Sequence, residues 1–188
     1  MKRSELEHIL RACGAITSQT RIVVIGSQSI LGPFPKAPVS LLASMEADVY
    51  PPDKPELADV IDGAIGEGSS FHEQFGYYAQ GVAPETAILP AGWRNRLVSL
   101  ENPNTGGVEG LCLEVHDLAL SKYIAGREKD LRFVSVLAQH GLTSQKTLLS
   151  RLAATKLDPA RRNLVKGRIE AHFGEARPKK PGRKKSRT

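Results

Sequence analysis

The chain contains 188 residues, 40% of them hydrophobic and 24% charged, the ordinary composition of one globular domain with room for a small appendage. No apolar run approaches the roughly 20 residues of a membrane helix, and the N-terminus lacks the apolar core of a signal peptide. We therefore expect a cytoplasmic protein with no membrane partner. Cys13 and Cys112 stand in apolar contexts without CxxC spacing, which favours small buried residues over a metal or redox site.

The net charge of +6 originates at the C-terminus. Residues 177–188 hold seven basic and no acidic residues, so the rest of the chain carries 19 basic and 20 acidic residues. Proline, glycine, lysine and arginine in succession cannot bury apolar area, so we predict a disordered basic tail over 177–188. Such a tail can bind RNA or DNA non-specifically by releasing phosphate counterions, and it can equally be a solubilising or incidental terminus.

The N-terminal part predicts two helices and two strands. Ser4 is the expected N-cap of a first helix, which ends at Gly14. A β-branched strand covers residues 21–25, and alternating residues in EADVY predict a second strand that ends at Pro51. The segment 54–68 has a proline in its first turn and an apolar face at helical spacing, which indicates the second helix.

The rest of the chain moves from short strands to helices. The segment SSFHEQFGYYAQGV has no clean period, ETAILP predicts a short strand, and RLVSLE and GLCLEV on either side of NPNTGG predict a β-hairpin. Helical spacing then extends from His116 to near residue 173, with expected breaks at Gly126, Gly141 and Asp158-Pro159.

This order of elements predicts an α/β (α+β) fold with a mixed sheet flanked by helices. We expect a core over residues 1–115, a helical C-terminal part packed on that core over 116–176, and the basic tail over 177–188.

Gly26 and Ser27 end the first buried strand, where the polarity of the sequence changes abruptly. Backbone N–H groups at such a turn, aided by the dipole of a following helical segment, can hold an anion such as phosphate. The turn is not a P-loop, because no GxxxxGKS or GxxxxGKT sequence is present, and it lacks the GxGxxG of a dinucleotide-binding strand. A serine-hydrolase function also fails, since GSQS does not match GxSxG.

Glu46 and Asp48 flank Ala47 on the second predicted strand, so their carboxylates point to the same face. Two neighbouring carboxylates repel each other unless a cation lies between them. Mg²⁺ is the usual cation, because it prefers oxygen ligands and bridges to substrate phosphates. Alternatively, the two acids have no metal-binding role and lie on the polar, solvated face of an edge strand. A phosphate-binding turn on the neighbouring strand favours the metal site.

These motifs together carry a resemblance. VVIGSQS followed by EADVY resembles the nucleotidyltransferase fold shared with DNA polymerase beta, whose signature is Gly-Ser or Gly-Gly and then two acids at i and i+2 on the next strand. HDLALSKYIAGREKDLRFVSVLAQHGL resembles the Lys, Arg, Lys-Asp helical pattern of bacterial nucleotidyltransferase-like families, including the AbiEii-type toxins of toxin–antitoxin systems. PAGWRNRLV is similar to a segment of their uncharacterised relatives. The interval between the two motifs is longer than usual, and the first acid is Glu instead of Asp.

The resemblance implies a nucleotidyltransferase-like core and a Mg²⁺-dependent transfer of a nucleoside monophosphate from an NTP to RNA or protein. In that reaction Gly26 and Ser27 would hold the nucleotide phosphates, while Glu46 and Asp48 would bind Mg²⁺. A toxin–antitoxin component would also have a cognate antitoxin or another protein as its partner.

The resemblance further implies a third carboxylate and basic residues beside the phosphates. Glu114 in LCLEVHD is the expected third carboxylate, with Glu101 and Glu109 as alternatives, and it would help to activate the attacking hydroxyl. Lys122 and Lys129 would offer positive charge to phosphate.

Two other functions stay open. A missing third carboxylate would favour a catalytically inactive member of the fold that binds a nucleotide, RNA or a partner protein. A protein dominated by its basic tail would instead be a nucleic-acid-binding protein. In the helical segment, a kink at Gly126 would allow Arg127 and Asp130 to form a structural ion pair.

Overall fold

The structure is a computed structural model that describes residues 1–175. This part of the chain contains five strands, which are β1 (Arg21–Val24), β2 (Glu46–Tyr50), β3 (Tyr78–Gly81), β4 (Val98–Leu100) and β5 (Glu109–Cys112). It also contains seven α-helices, which are α1 (Arg3–Thr17), α2 (Ala58–Ile65), α3 (Ser70–Phe75), α4 (Val115–Ala125), α5 (Glu128–Gln139), α6 (Gln145–Ala153) and α7 (Pro159–Glu175).

The strands form one mixed sheet in the order β3-β2-β1-β5-β4. β1 pairs with β2 and β4 with β5 in antiparallel fashion, whereas β1 with β5 and β2 with β3 are parallel. The α/β (α+β) fold expected from the sequence, with a mixed sheet flanked by helices and a helical C-terminal part, is confirmed. The predicted hairpin is also confirmed, because β4 and β5 pair across NPNTGG.

One face of the sheet is covered by α1 and α2. A Cβ on Gly110 of β5 would lie 2.5 Å from Leu10 of α1, and a Cβ on Gly81 of β3 would lie 1.9 Å from the carbonyl oxygen of Ala58 of α2. Both glycines are in register with residues on the same sheet face as Val49. Side chains alternate along a strand, so the residues before and after Val49 face away from these two helices.

The first helix begins and ends outside the predicted bounds. Its N-cap is Lys2, whose backbone N–H donates to the side chain of Glu5, so the expected cap at Ser4 is wrong. The helix continues past Gly14 to Thr17 and ends where Ser18 adopts a left-handed conformation. A Cβ at position 14 would lie 2.3 Å from Val108 Cγ2, so this glycine allows close packing of the helix instead of ending it.

The third strand lies where the sequence shows no clean period. Residues 78–81 form β3 beside β2. ETAILP forms no strand, and only its first two residues belong to a 3-10 turn, Pro84–Thr86, so the strand expected there is wrong. β3 has only two buried residues, Tyr78 and Ala79, which is too short a run to produce a recognisable alternation.

The helical C-terminal part has its predicted breaks. Gly126 ends α4 with φ of 67°, a left-handed conformation in which glycine is favoured. Arg168 of α7 donates to the carbonyl oxygen of Tyr123, and Arg161 donates to that of Ile124. The last turn of α4 is therefore held by two arginines of α7.

Buried apolar residues from the sheet and from both the N-terminal and C-terminal helices form one core. The division of the chain near residue 115 stays a prediction, and the basic tail over 177–188 lies outside the described residues. Within residues 1–175, no helix is long and apolar enough to cross a membrane.

Candidate functional site

A cleft of about 1210 Å³ opens between the sheet face opposite α1 and the helices α4 and α5. Six of the residues that the sequence predicts for the site line this cleft, namely Gly26, Ser27, Glu46, Asp48, Lys122 and Lys129. The sheet wall carries the acids, and the helix wall carries most of the basic residues. Leu41, Ile88, Phe133 and Val136 supply an apolar part of the lining.

Glu46 and Asp48 lie on one face of β2, as expected from their spacing. Directly beside them, Gly26 follows β1 and opens a 3-10 turn over Ser27–Leu31. A Cβ on Gly26 would lie 1.6 Å from Asp48 Oδ2. Glycine at this position therefore lets the Asp48 carboxylate approach the main chain at the start of the turn.

The Asp48 carboxylate has an unusual environment. Burial and the neighbouring Glu46 raise its pKa, and the charges of Lys122, Lys129 and Arg127 compensate only in part. Among residues 1–175, no group donates a hydrogen bond to this carboxylate and no cation lies within ion-pair distance of it. A largely buried acid without a partner is costly, so this position favours binding of a cation.

Glu46 stands at the first position of β2. Its Oε2 accepts a hydrogen bond of 3.2 Å from the hydroxyl of Tyr78, the residue opposite it on β3. Burial, the charge of Glu46 and this hydrogen bond together raise the pKa of Tyr78 to about 12, so the phenol is a donor at neutral pH.

Lys122 connects the two walls of the cleft. Its Nζ donates to Ser27 Oγ at 2.8 Å and forms an ion pair of 3.1 Å with Asp130. The lysine is only 9% exposed, and its position follows from α4, whose C-terminal half passes beside the Gly26–Ser27 turn. The residue expected to offer positive charge to phosphate thus also fixes Ser27.

Asp130 is the best-compensated acid of the cleft. Arg127 donates two hydrogen bonds to it, at 2.6 and 3.3 Å, in addition to the ion pair with Lys122. Burial alone would raise the pKa of Asp130, but the hydrogen bonds from Arg127 and the charge of Lys122 lower it on balance. The ion pair of Arg127 and Asp130 considered from the sequence is present.

Further basic residues line the cleft on the helix side. Lys129 is exposed, as expected for a residue available to a ligand, and Arg132 and Arg161 accompany it. In the described chain, therefore, the cleft offers several cationic side chains opposite the Glu46–Asp48 pair.

Glu114 is not brought to the cleft. It is the N-cap of α4, where its carboxylate accepts from the backbone N–H of His116 and of Asp117 and lies 2.6 Å from His116 Nδ1. Burial would raise the pKa of Glu114, but these interactions with His116 lower it on balance. Its carboxylate stabilises the start of the helix, so the expectation that it completes the acidic site has no support in its position.

The two alternatives to Glu114 also lie outside the cleft lining. Glu101 is exposed after β4, and Glu109 begins β5 at the end of the strand farthest from the Gly26 turn. Within residues 1–175, no group of three His, Cys, Asp or Glu residues is arranged to hold a metal ion. Asp130 also lines the cleft, but its carboxylate is paired with Lys122 and Arg127. No third acid of the described chain therefore joins Glu46 and Asp48 in a metal-binding group.

The Glu46–Asp48 pair nevertheless fits Mg²⁺. This ion is commonly bound by only one or two protein carboxylates, with water and substrate phosphates as the other ligands. Two features of this structure favour a bound cation: the largely buried Asp48 carboxylate, which has no partner in the part of the chain that is described, and the glycine that gives it room.

Several residues of the cleft were missed by the sequence analysis. Arg132, Phe133 and Val136 follow Lys129 at helical spacing on α5, a pattern that could have placed all four on one face. Gln80 in the lining, and Tyr78 behind Glu46, had no comparable signal, since their positions depend on the register of β3 against β2.

Of three comparisons with known proteins, one gave a match. Searches of curated proteins and of solved structures found no significant match. A family model described as "nucleotidyltransferase of unknown function (DUF6036)" matches residues 4–159, which is most of the chain. The matched range includes every residue that lines the cleft except Arg161 of α7. The match does not specify closeness to AbiEii-type toxins. The chain belongs to this nucleotidyltransferase family of unknown function.

Proposed function

We propose that the protein is a Mg²⁺-dependent nucleotidyltransferase that moves a nucleoside monophosphate from an NTP to an RNA or protein acceptor. The observation that carries the proposal is the Asp48 carboxylate, which is largely buried beside Glu46, has no partner among residues 1–175 and faces a cleft lined by basic side chains. Family membership supports the reaction class.

Glu46 and Asp48 are the residues that would hold Mg²⁺. When bound, the ion would neutralise negative charge on the phosphates and on the leaving pyrophosphate. Without it, the two carboxylates would repel the triphosphate. The pair therefore makes nucleotide binding depend on the metal.

The remaining residues of the cleft position the phosphates. The N–H groups that open the turn after Gly26 have no acceptor within the turn, as at the start of any helix, so they can donate to a phosphate oxygen. Lys122 places positive charge beside this turn, and Lys129 adds an exposed charge across the cleft. The apolar lining at Leu41 and Ile88 can accommodate a nucleobase.

A second candidate is a catalytically inactive member of the family that binds a nucleotide, RNA or a partner protein. It is favoured by the missing third carboxylate, because no acid of the described chain joins Glu46 and Asp48 to activate an acceptor hydroxyl. An inactive member that binds a nucleotide would share Mg²⁺-dependent nucleotide binding with the first candidate, but only the first candidate predicts transfer.

The test of transfer uses each labelled NTP with Mg²⁺ and total cellular RNA or protein. The wild-type protein is compared with a variant that carries Glu46→Gln and Asp48→Asn. We expect label to enter one acceptor class with the wild type and not with the variant. Binding of the nucleotide without any transfer would support the inactive member instead.

A toxin–antitoxin role is a finer proposal, supported by the resemblance of the α4–α5 segment to AbiEii-type toxins. It predicts that expression of the wild-type chain, but not of the Glu46→Gln/Asp48→Asn variant, arrests growth. RNA binding through the tail predicts that deletion of residues 177–188 lowers RNA affinity and flattens its salt dependence.

A further inference from the structure

Tyr78 and Glu46 form a side-chain pair between the edge strand β3 and its neighbour β2. They are directly opposite each other in the parallel register of β2 and β3. Tyr78 is 8% exposed, and its hydroxyl donates to Glu46 Oε2 at 3.2 Å. The ring of His72 packs on the tyrosine with centroids 4.6 Å apart, which limits its rotation.

We propose that Tyr78 is a positioning residue for the metal site, which holds one oxygen of Glu46 so that the other oxygen and Asp48 face the cleft together. This inference rests on the proposed function, since it assumes that Glu46 is a metal ligand. Groups that hydrogen-bond to a metal ligand orient it, and their loss typically weakens metal affinity by about 10- to 100-fold.

The position of Glu46 explains why such a residue is needed. Glu46 is the first residue of β2, where the strand is in register with β3 but not yet with β1. Its backbone N–H donates to Ser44 Oγ at 3.2 Å, and Tyr78 N–H donates to the carbonyl oxygen of Met45 at 3.1 Å. These bonds fix the main chain, whereas the Tyr78 hydroxyl is the group that fixes the carboxylate.

Asp48 does not require the same support. Its carboxylate lies against Gly26 and is confined by the main chain of the neighbouring turn. The residue opposite it on β3 is Gln80, which makes no hydrogen bond to it in the described chain. The two acids are therefore positioned differently, Asp48 by close packing and Glu46 by a hydrogen bond.

The test is Tyr78→Phe, which removes only the hydroxyl. Binding of Mn²⁺ alone, measured by electron paramagnetic resonance, should weaken about tenfold, while nucleotide affinity without metal is unchanged. Tyr77→Phe is the matched control, because the Tyr77 hydroxyl bonds to His8 Nδ1 at 2.8 Å, whereas the Tyr78 hydroxyl bonds to Glu46. We expect wild-type Mn²⁺ affinity in this control.

A double-mutant cycle separates positioning from a general effect on the fold. In a Glu46→Gln background, Tyr78→Phe should cause no further loss of Mn²⁺ affinity. Equal losses in both backgrounds, or wild-type affinity in Tyr78→Phe, would overturn the inference and leave the proposed function intact. Absence of Mn²⁺ binding by the wild-type protein would overturn both.

Discussion

Two aspartates of this protein show how the surroundings of a carboxylate separate structure from function. Asp117 on α4 is fully buried and accepts hydrogen bonds of 2.8 and 3.1 Å from Arg96, with Arg151 at 3.3 Å. Asp48 on β2 is largely buried and has no partner in the described chain. The first acid joins three segments of the fold, whereas the second carries a free negative charge into a cleft.

The largest effect is expected at the compensated acid. Asp117→Asn removes the charge that neutralises Arg96 and Arg151, so we expect the free energy of unfolding to fall by about 3 kcal/mol. Chemical denaturation measures this change. A loss below about 1 kcal/mol would mean that this buried cluster does not have the structural role assigned to it.

The second prediction concerns the glycine that gives Asp48 its space. Gly26→Ala displaces the Asp48 carboxylate, and a shift of about 1 Å should lower the transfer rate roughly 100-fold. The fold should persist, because the clash is with a side chain. Gly63→Ala is the control, since its added Cβ would meet nothing within 4 Å beyond the backbone of its own helix, and it should leave transfer unchanged. Full activity of Gly26→Ala would contradict the close packing of Asp48.

The third prediction compares two lysines of the helix wall. Lys122→Met removes a charge that also fixes Ser27, so nucleotide affinity should fall about tenfold, or roughly 1.4 kcal/mol. Lys129→Met removes an exposed charge and should cost only a few-fold. Calorimetric titration with a nucleotide measures both. A larger effect at Lys129 than at Lys122 would reverse their assigned roles.

The smallest effect is a gain in stability. The pKa of Asp48 is raised above its ordinary value of 3.8, so the protonated acid stabilises the fold and this contribution is lost as the pH rises through the raised pKa. Asp48→Asn should therefore increase the free energy of unfolding by about 1 kcal/mol at neutral pH without metal, and by nothing at pH 3.

Asp130→Asn should change the free energy of unfolding in the opposite direction. The pKa of Asp130 is lowered, so its contribution to stability is present at neutral pH and is lost as the pH falls through the lowered value. This variant should be less stable than the wild type at pH 7, and the difference should shrink on acidification. A stability gain at pH 7 would contradict the compensation of Asp130 by Lys122 and Arg127.

Much of the sheet wall could be predicted from the sequence. A β-branched run ending at Gly26-Ser27 and two acids at i and i+2 are local patterns, and local patterns survive folding. Lys122 and Lys129 were found through the resemblance. The break at Gly126 was also local, since glycine favours the left-handed end of a helix.

The rest depended on long-range contacts. β3 was missed because its four residues show no recognisable alternation of apolar and polar side chains. The pairing of Tyr78 with Glu46 was missed for the same reason. Glu114 was misplaced for a related reason, because an acid just before a helix can equally well cap that helix or point into a cleft. Only the packing of α4 against the sheet decides between the two.

Nucleotide binding with and without Mg²⁺ tests the central claim most directly. Calorimetry should show that Mg²⁺ raises nucleotide affinity of the wild-type protein by at least about tenfold. In a Glu46→Ala/Asp48→Ala variant the nucleotide affinity should be the same with and without the ion. The control Glu56→Ala/Asp59→Ala changes two exposed acids outside the cleft and should show the same Mg²⁺ dependence as the wild type. Unchanged Mg²⁺ dependence in the Glu46→Ala/Asp48→Ala variant would contradict the assignment of these two residues as the metal site.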